Sequence, residues 1–209
     1  MWNKYNTKLK MKALSTLLKE FDGRHKSENQ LTECFKEIAK SAIIGGYFLI
    51  NESMKIRIIE VEFYFHSEND SESKIHDWGM YHRGEHLDYF TLGSLNPHRS
   101  GIDFTFEREK SYRASFLIRK YQIDDAEKII STPSYLCEDM FGYTGCICGD
   151  GPKVQWVNDL EQTTDNLKLT EKPRINLSAY DENGKPLKPN GIRELDKRPW
   201  RFGLQKSDR

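Results

Sequence analysis

Hydrophobic positions along the chain follow two periods, and the change from one to the other predicts its elements. Over 8–21, Leu9, Leu14, Leu17, Leu18 and Phe21 recur at helical spacing, and Leu31, Cys34, Phe35 and Ile38 do so from Ser27 or Glu28 to about Ser41. Gly23 and the Gly45-Gly46 pair stop these helices, because glycine favours the backbone reversal that ends one. Beyond them the period shortens to two. Residues 47–50 and 54–65 read as a hairpin around the polar turn Asn51-Glu52-Ser53. Residues 101–106 and 113–121 predict a second hairpin, with Ile102, Phe104 and Phe106 alternating with Asp103 and Thr105. In Ser131-Thr132-Pro133-Ser134, Thr132 is a candidate cap and Pro133 sits in a first turn where its missing N–H costs nothing, so a short helix through Leu136, Cys137 and Met140 is expected. Residues 154–157, 173–177 and 199–204 are candidate strands in a turn-rich remainder. Hairpins with helices before and among them predict an α+β domain and not a regular βαβ alternation.

One predicted strand carries unusual chemistry. In Ile58-Ile59-Glu60-Val61-Glu62-Phe63-Tyr64, alternation puts Glu60, Glu62 and Tyr64 on one face and Ile59, Val61 and Phe63 on the other. The apolar face suits a core, which turns two carboxylates and a phenol toward a cleft or solvent. A lone acid on an exposed sheet face is ordinary. The polar segment that follows, leading to His76-Asp77-Trp78-Gly79-Met80-Tyr81-His82-Arg83, is what points to a site loop.

Composition then narrows the class. At 209 residues, 37% hydrophobic and 31% charged, the chain fits one domain with a full core and a well-hydrated surface. No apolar run reaches bilayer length, and Met1-Trp2-Asn3-Lys4 lacks the apolar stretch of a secretory signal, so a cytoplasmic protein is expected. The formal net charge of zero argues against a strongly basic nucleic-acid binder, but separated patches cancel in a sum. Lys4, Lys8, Lys10 and Lys12 cluster at the start, and Lys185, Lys188, Arg193, Lys197, Arg198, Arg201, Lys206 and Arg209 crowd the end. Of Cys34, Cys137, Cys146 and Cys148 only the last two are close, and no second pair stands at zinc-site spacing, so free thiols are expected. His66, His76, His82, His86 and His98 fall in one segment, a density that fits a metal, acid–base chemistry or polar contact with a base or phosphate.

Five short motifs, in this order, resemble the alkyladenine (3-methyladenine) DNA glycosylase family. They are the 58–64 strand followed by a histidine in a polar loop, Phe116-Leu117-Ile118-Arg119, Thr132-Pro133-Ser134-Tyr135-Leu136-Cys137, Pro173-Arg174-Ile175 and Arg198-Pro199-Trp200-Arg201-Phe202. Ala39-Lys40-Ser41-Ala42-Ile43-Ile44-Gly45 also looks like the family's entry helix. The resemblance implies a curved, mostly antiparallel β core flanked by helices, like the C-terminal domain of formyltransferases, over 28–209, with 1–27 as an N-terminal helical extension. It also implies a DNA-repair enzyme that flips a damaged or alkylated purine out of double-stranded DNA and cuts its N-glycosidic bond with water, with no cofactor or metal; no obligate protein partner is evident from the sequence.

By the same resemblance Glu62 positions and deprotonates the water, Arg119 stands near it, Tyr64 and His76 hold the flipped base, and Tyr81 is a second stacking wall. Asp103 falls about where the family has an asparagine that limits the pocket, while Arg99, Arg198 and Arg201 are expected on the DNA. The chemistry is sound by itself, since a nearby carboxylate stabilises the oxocarbenium-like sugar that develops as the purine leaves.

The chain also departs from the family pattern. The wedging tyrosine expected before Gly101 is absent from Ser94-Leu95-Asn96-Pro97-His98-Arg99, which leaves Tyr89 or Phe90 as substitutes. The spacing from the strand tyrosine to the loop histidine is longer, and no arginine-rich run follows the catalytic strand. Two other readings stay open: a hydrolase of another nucleoside-type or metal-assisted substrate, and a non-catalytic nucleic-acid-binding module.

Overall fold

The computed structural model describes residues 11–67, 75–83, 88–142, 151–160 and 168–205. The Cys146-Ile147-Cys148 pair, His86, Lys4, Lys8, Lys10, Lys206 and Arg209 lie outside the described residues. The chain opens with α1 (Leu14–Glu20) and α2 (Glu28–Ile44). α2 starts in a capping box, with Gln30 N–H donating to Ser27 Oγ at 3.3 Å and Ser27 N–H donating to Gln30 Oε1 at 2.8 Å. Those two bonds satisfy donors that a helix start otherwise leaves unpaired. Leu31, Phe35, Ile38, Ala39 and Ala42 form its buried stripe, and Leu14 and Leu18 of α1 enter the same core, so the segment expected as an extension packs on the domain.

The strands are β1 (Gly46–Ile50), β2 (Met54–Ser67), β3 (Leu95–His98), β4 (Gly101–Thr105), β5 (Tyr112–Ile123), β6 (Val154–Asn158), β7 (Leu169–Lys172) and β8 (Arg201–Leu204), with α3 (Tyr135–Phe141) after β5. They form an antiparallel sheet of order β3-β4-β5-β2-β1-β6, to which β8 joins through β2 and β7 through β8. β5 follows one edge of β2 almost end to end, while the other edge pairs first with β1 and then with β8. The change of partner coincides with a register shift between Ile58 and Val61, and such a bulge bends the strand that carries it. The outcome is a single α+β domain in which a curled antiparallel half-barrel is packed, among the described residues, with three α-helices.

The bulge also corrects the expected alternation. Ile56 and Ile58 face the core before it and Val61, Phe63 and Phe65 after it, so Ile59 is only half-buried. Glu60, at the shift itself, is ion-paired with Lys120 at 3.0 Å and lies 3.6 Å from the Arg201 guanidinium. An extra residue resets a period of two, and sequence alternation alone does not reveal where that happens.

Smaller differences have equally local causes. The strand expected over 173–177 lies earlier, at Leu169–Lys172, because Pro173 has no N–H to continue a ladder and Asn176 adopts φ +53°. β3 was not expected; it contains Pro97 and lies at the edge of the sheet, where proline is tolerated. Ser134, not Thr132, precedes α3, and no side chain caps that helix.

The core is dominated by aromatic side chains. Phe35 of α2 stacks on Phe63 of β2 with centroids 4.6 Å apart, and Phe104 stacks on Phe116 at 5.1 Å. Fully burying one such ring contributes about 1.5–3 kcal/mol. Trp200 is fully buried and its indole N–H donates to Thr32 Oγ1 at 3.0 Å, which ties the segment before β8 to α2. Among the described residues no helix is long and apolar enough to cross a membrane.

Candidate active site on one rung of the sheet

Pairing across the sheet builds the site. Asp103 of β4 is opposite Leu117 of β5, Leu117 is opposite Glu62 of β2, and Glu62 is opposite Arg201 of β8, so four strands contribute to one rung. Arg119 and Tyr64 stand two positions along β5 and β2, on the same face as Leu117 and Glu62. Above them Tyr64, Met80, Tyr81, His98, Asp103 and Arg119 help line a cleft of about 370 Å³, within the range of small-ligand sites.

Glu62 is fully buried beneath that cleft. Its Oε1 accepts the Tyr64 hydroxyl at 2.5 Å and Arg119 Nη2 at 2.5 Å, and its Oε2 accepts the Ile175 N–H at 2.8 Å. Burial and the adjacent Glu62 carboxylate push the Tyr64 phenol above its ordinary range, so it stays a donor. Burial disfavours the Arg119 charge, but Glu62 outweighs it and raises the guanidinium further.

A second set of groups forms the wall beside β4. Asp103 is 3% exposed, with His98 Nε2 3.2 Å from its Oδ1 and His82 Nδ1 3.6 Å from its Oδ2. The other nitrogen of His82 lies 3.1 Å from Glu107, which also pairs with Arg113 at 3.0 Å. Burial opposes charge on His82, yet the two carboxylates facing it outweigh that and raise it above the usual histidine range. Burial likewise opposes ionisation of Asp103, and His82 and His98 reverse it, holding the carboxyl low.

The loop that closes the cleft is fixed by a third cluster. Arg174 has no exposed side-chain surface; it pairs with Asp77, donates to the Phe63 carbonyl at 3.2 Å and reaches Asp196 at 2.6 Å. Asp77 also accepts the Phe65 N–H at 3.2 Å and the Gly79 N–H at 3.3 Å. These bonds anchor both the segment that gives Glu62 the Ile175 N–H and the turn that bears Tyr81. Of the three residues, Arg174 falls in Pro173-Arg174-Ile175 and Asp77 in the expected site loop, neither with a role assigned from sequence, and nothing in the sequence pointed to Asp196.

Of the expected site residues, Tyr64, Tyr81, Asp103 and Arg119 line one cleft and Glu62 lies under it. His76 does not join them. It lines a separate cleft with Tyr180 and Arg198, and its ring stacks on Trp78 at 5.5 Å and meets His66 at 5.1 Å. Asp77, locked onto Arg174, sets the loop so that its neighbour faces away from Glu62. His98, which sequence reasoning noted only within a histidine-dense segment, takes the place in the cleft.

The arginines expected on DNA divide. Arg99 is exposed in the turn between β3 and β4. Arg198 is bound to Asp196 at 2.5 Å and lies over the Trp200 ring at 4.5 Å, and Arg201 faces Glu60. Neither substitute for the wedge is at the cleft surface: the Arg113 guanidinium covers the Tyr89 ring at 3.7 Å, and Phe90 packs edge-on against His82 at 5.3 Å. The exposed aromatic at the cleft is Tyr81, 66% exposed and stacked on His98 at 5.1 Å. Among the described residues no group of three His, Cys, Asp or Glu side chains stands where it could hold a metal ion. Compared with family models, curated proteins and solved structures, the chain matches none of them.

Proposed function

We propose that the cleft receives a purine nucleotide flipped from double-stranded DNA and that the protein hydrolyses its N-glycosidic bond. The observation that carries this reading is the Glu62 carboxylate, fixed by Tyr64, Arg119 and the Ile175 N–H directly under a cleft edged by an exposed tyrosine. A carboxylate offers about four lone-pair sites, of which three are taken here, and the fourth serves the attacking water. Water oxygen bonds to the sugar carbon as the carbon–nitrogen bond breaks; its proton passes to Glu62, and the bond's electron pair leaves with the base. A purine that is alkylated or protonated leaves most easily, because it departs neutral. Arg119 holds Glu62 in place, and the carboxylate opposes the positive charge that develops on the sugar.

Duplexes containing hypoxanthine or an alkylated purine test it. Abasic sites should accumulate with the wild-type protein and fall by about 10²–10⁴-fold with Glu62→Gln, the usual loss with a general base. No release from any such lesion by folded protein overturns the activity.

A non-catalytic nucleic-acid-binding module is favoured by one observation, that Glu62 has no exposed surface, while Tyr64 and Arg119, which bond it, line the cleft. It predicts binding without base release. Since Arg198 and Arg201 are occupied by Asp196 and Glu60, binding should weaken only shallowly with salt, through few phosphate contacts.

A further inference from the structure

Two walls of the cleft have opposite and fixed hydrogen-bonding character. Asp103 stands opposite Leu117 on the neighbouring strand, and Arg119 is two residues beyond Leu117 on the same face, so the two flank one apolar side chain. Arg119 can only donate. Its Nη2 is used by Glu62, while its buried Nε has no hydrogen-bond partner among the described residues. An ionised Asp103 can only accept. Ser115 Oγ reaches its Oδ2 at 3.4 Å, whereas its Oδ1, ion-paired with His98 Nε2 at 3.2 Å, accepts no aligned hydrogen bond among the described residues. His98 Nδ1 accepts the Ser100 N–H at 3.2 Å, which turns the ring edge-on to Asp103 and leaves its face to Tyr81.

We infer that Asp103 and Arg119 together determine specificity, selecting a base that carries an N–H donor beside a carbonyl acceptor on one edge. The carbonyl meets the donor-only guanidinium and the N–H meets the acceptor-only carboxylate, with Met80 and Leu117 along the apolar remainder of the cleft. A base that lacks the N–H leaves Asp103 Oδ1 buried without an aligned donor, and a site built to bond a donor discriminates against an analogue without it. The inference rests on the nucleobase reading above and names the chemistry of its ligand.

Equilibrium binding of inosine and 1-methylinosine to the full chain tests it by calorimetry. Inosine should bind at least about tenfold more tightly, and Asp103→Asn, which keeps an acceptor but loses the charge that strengthens the bond, should narrow that ratio severalfold. Equal binding of the two by the wild-type protein overturns the inference and leaves the nucleobase reading intact. A ratio unchanged in Asp103→Asn shows rejection of the methyl group by size alone and also overturns it. Binding of neither nucleoside overturns both. Should Asp103→Asn fail to fold, nebularine, which removes the N–H and carbonyl without adding bulk, replaces it; nebularine binding as tightly as inosine overturns the inference.

Discussion

Glu62 and Asp77 are both fully buried carboxylates gripped by an arginine, yet Arg119 lines a cleft and Arg174 has no exposed side-chain surface. Chemically the two pairs are close relatives, and their surroundings separate them. Around Arg174, Asp77, Asp196 and the Phe63 carbonyl engage both terminal nitrogens of the guanidinium in a sealed space, which is how a fold joins distant segments. Around Arg119 one carboxylate is the only anion bonded among the described residues, its buried Nε has no partner there, and the side chain borders open volume. A buried ion pair is therefore weak evidence of function until its access to a cavity is known.

Removing each arginine's cluster should separate the two. Arg174→Met strips the buried Asp77 of its close arginine and leaves Asp196 with Arg198 alone, and should cost about 3–5 kcal/mol, read by denaturant unfolding. A loss below about 1 kcal/mol would show that the cluster is not the clasp described here. Glu62→Gln keeps the shape and most acceptors of its site, so stability should fall by only about 1–3 kcal/mol while base release is lost. Equal stability losses in the two variants would dissolve the contrast.

His82 gives a pH-dependent form of the same comparison, because both its nitrogens face carboxylates, Asp103 and Glu107. Its folded value lies above the ordinary 6.5, so its contribution is complete below that value and is lost as pH rises through the folded one. The stability difference between wild type and His82→Gln should accordingly shrink as pH rises from 6; a difference that grows with pH contradicts the assignment. Smallest of all, Lys197→Ala should leave the unfolding midpoint unchanged, since the lysine is 83% exposed beside Glu194 and such pairs contribute little.

Much of the fold was legible because its signals are local. The stripe of α2, the Gly45 stop and the β1–β2 and β4–β5 hairpins follow from spacing and turn residues within a few positions of one another. Glu62, Tyr64 and Arg119 were legible as polar groups on apolar strands that pair directly. His76 was misplaced because proximity in sequence to Tyr64 says nothing about which way a loop turns, and Asp77 and Arg174 settle that from 97 residues apart. β3 was missed because Pro97 masks an edge strand.

The sequence by itself determined which residues are apolar, at what period they recur and where the chain can turn; those properties depend only on side-chain chemistry and neighbouring backbone. Tertiary structure decided the bulge that resets the faces of β2, the exchange of His76 for His98 and the meeting of Glu62 with an N–H 113 residues away. The reason is physical: a buried carboxylate must find donors somewhere, and where those donors come from is a property of the packed chain as a whole.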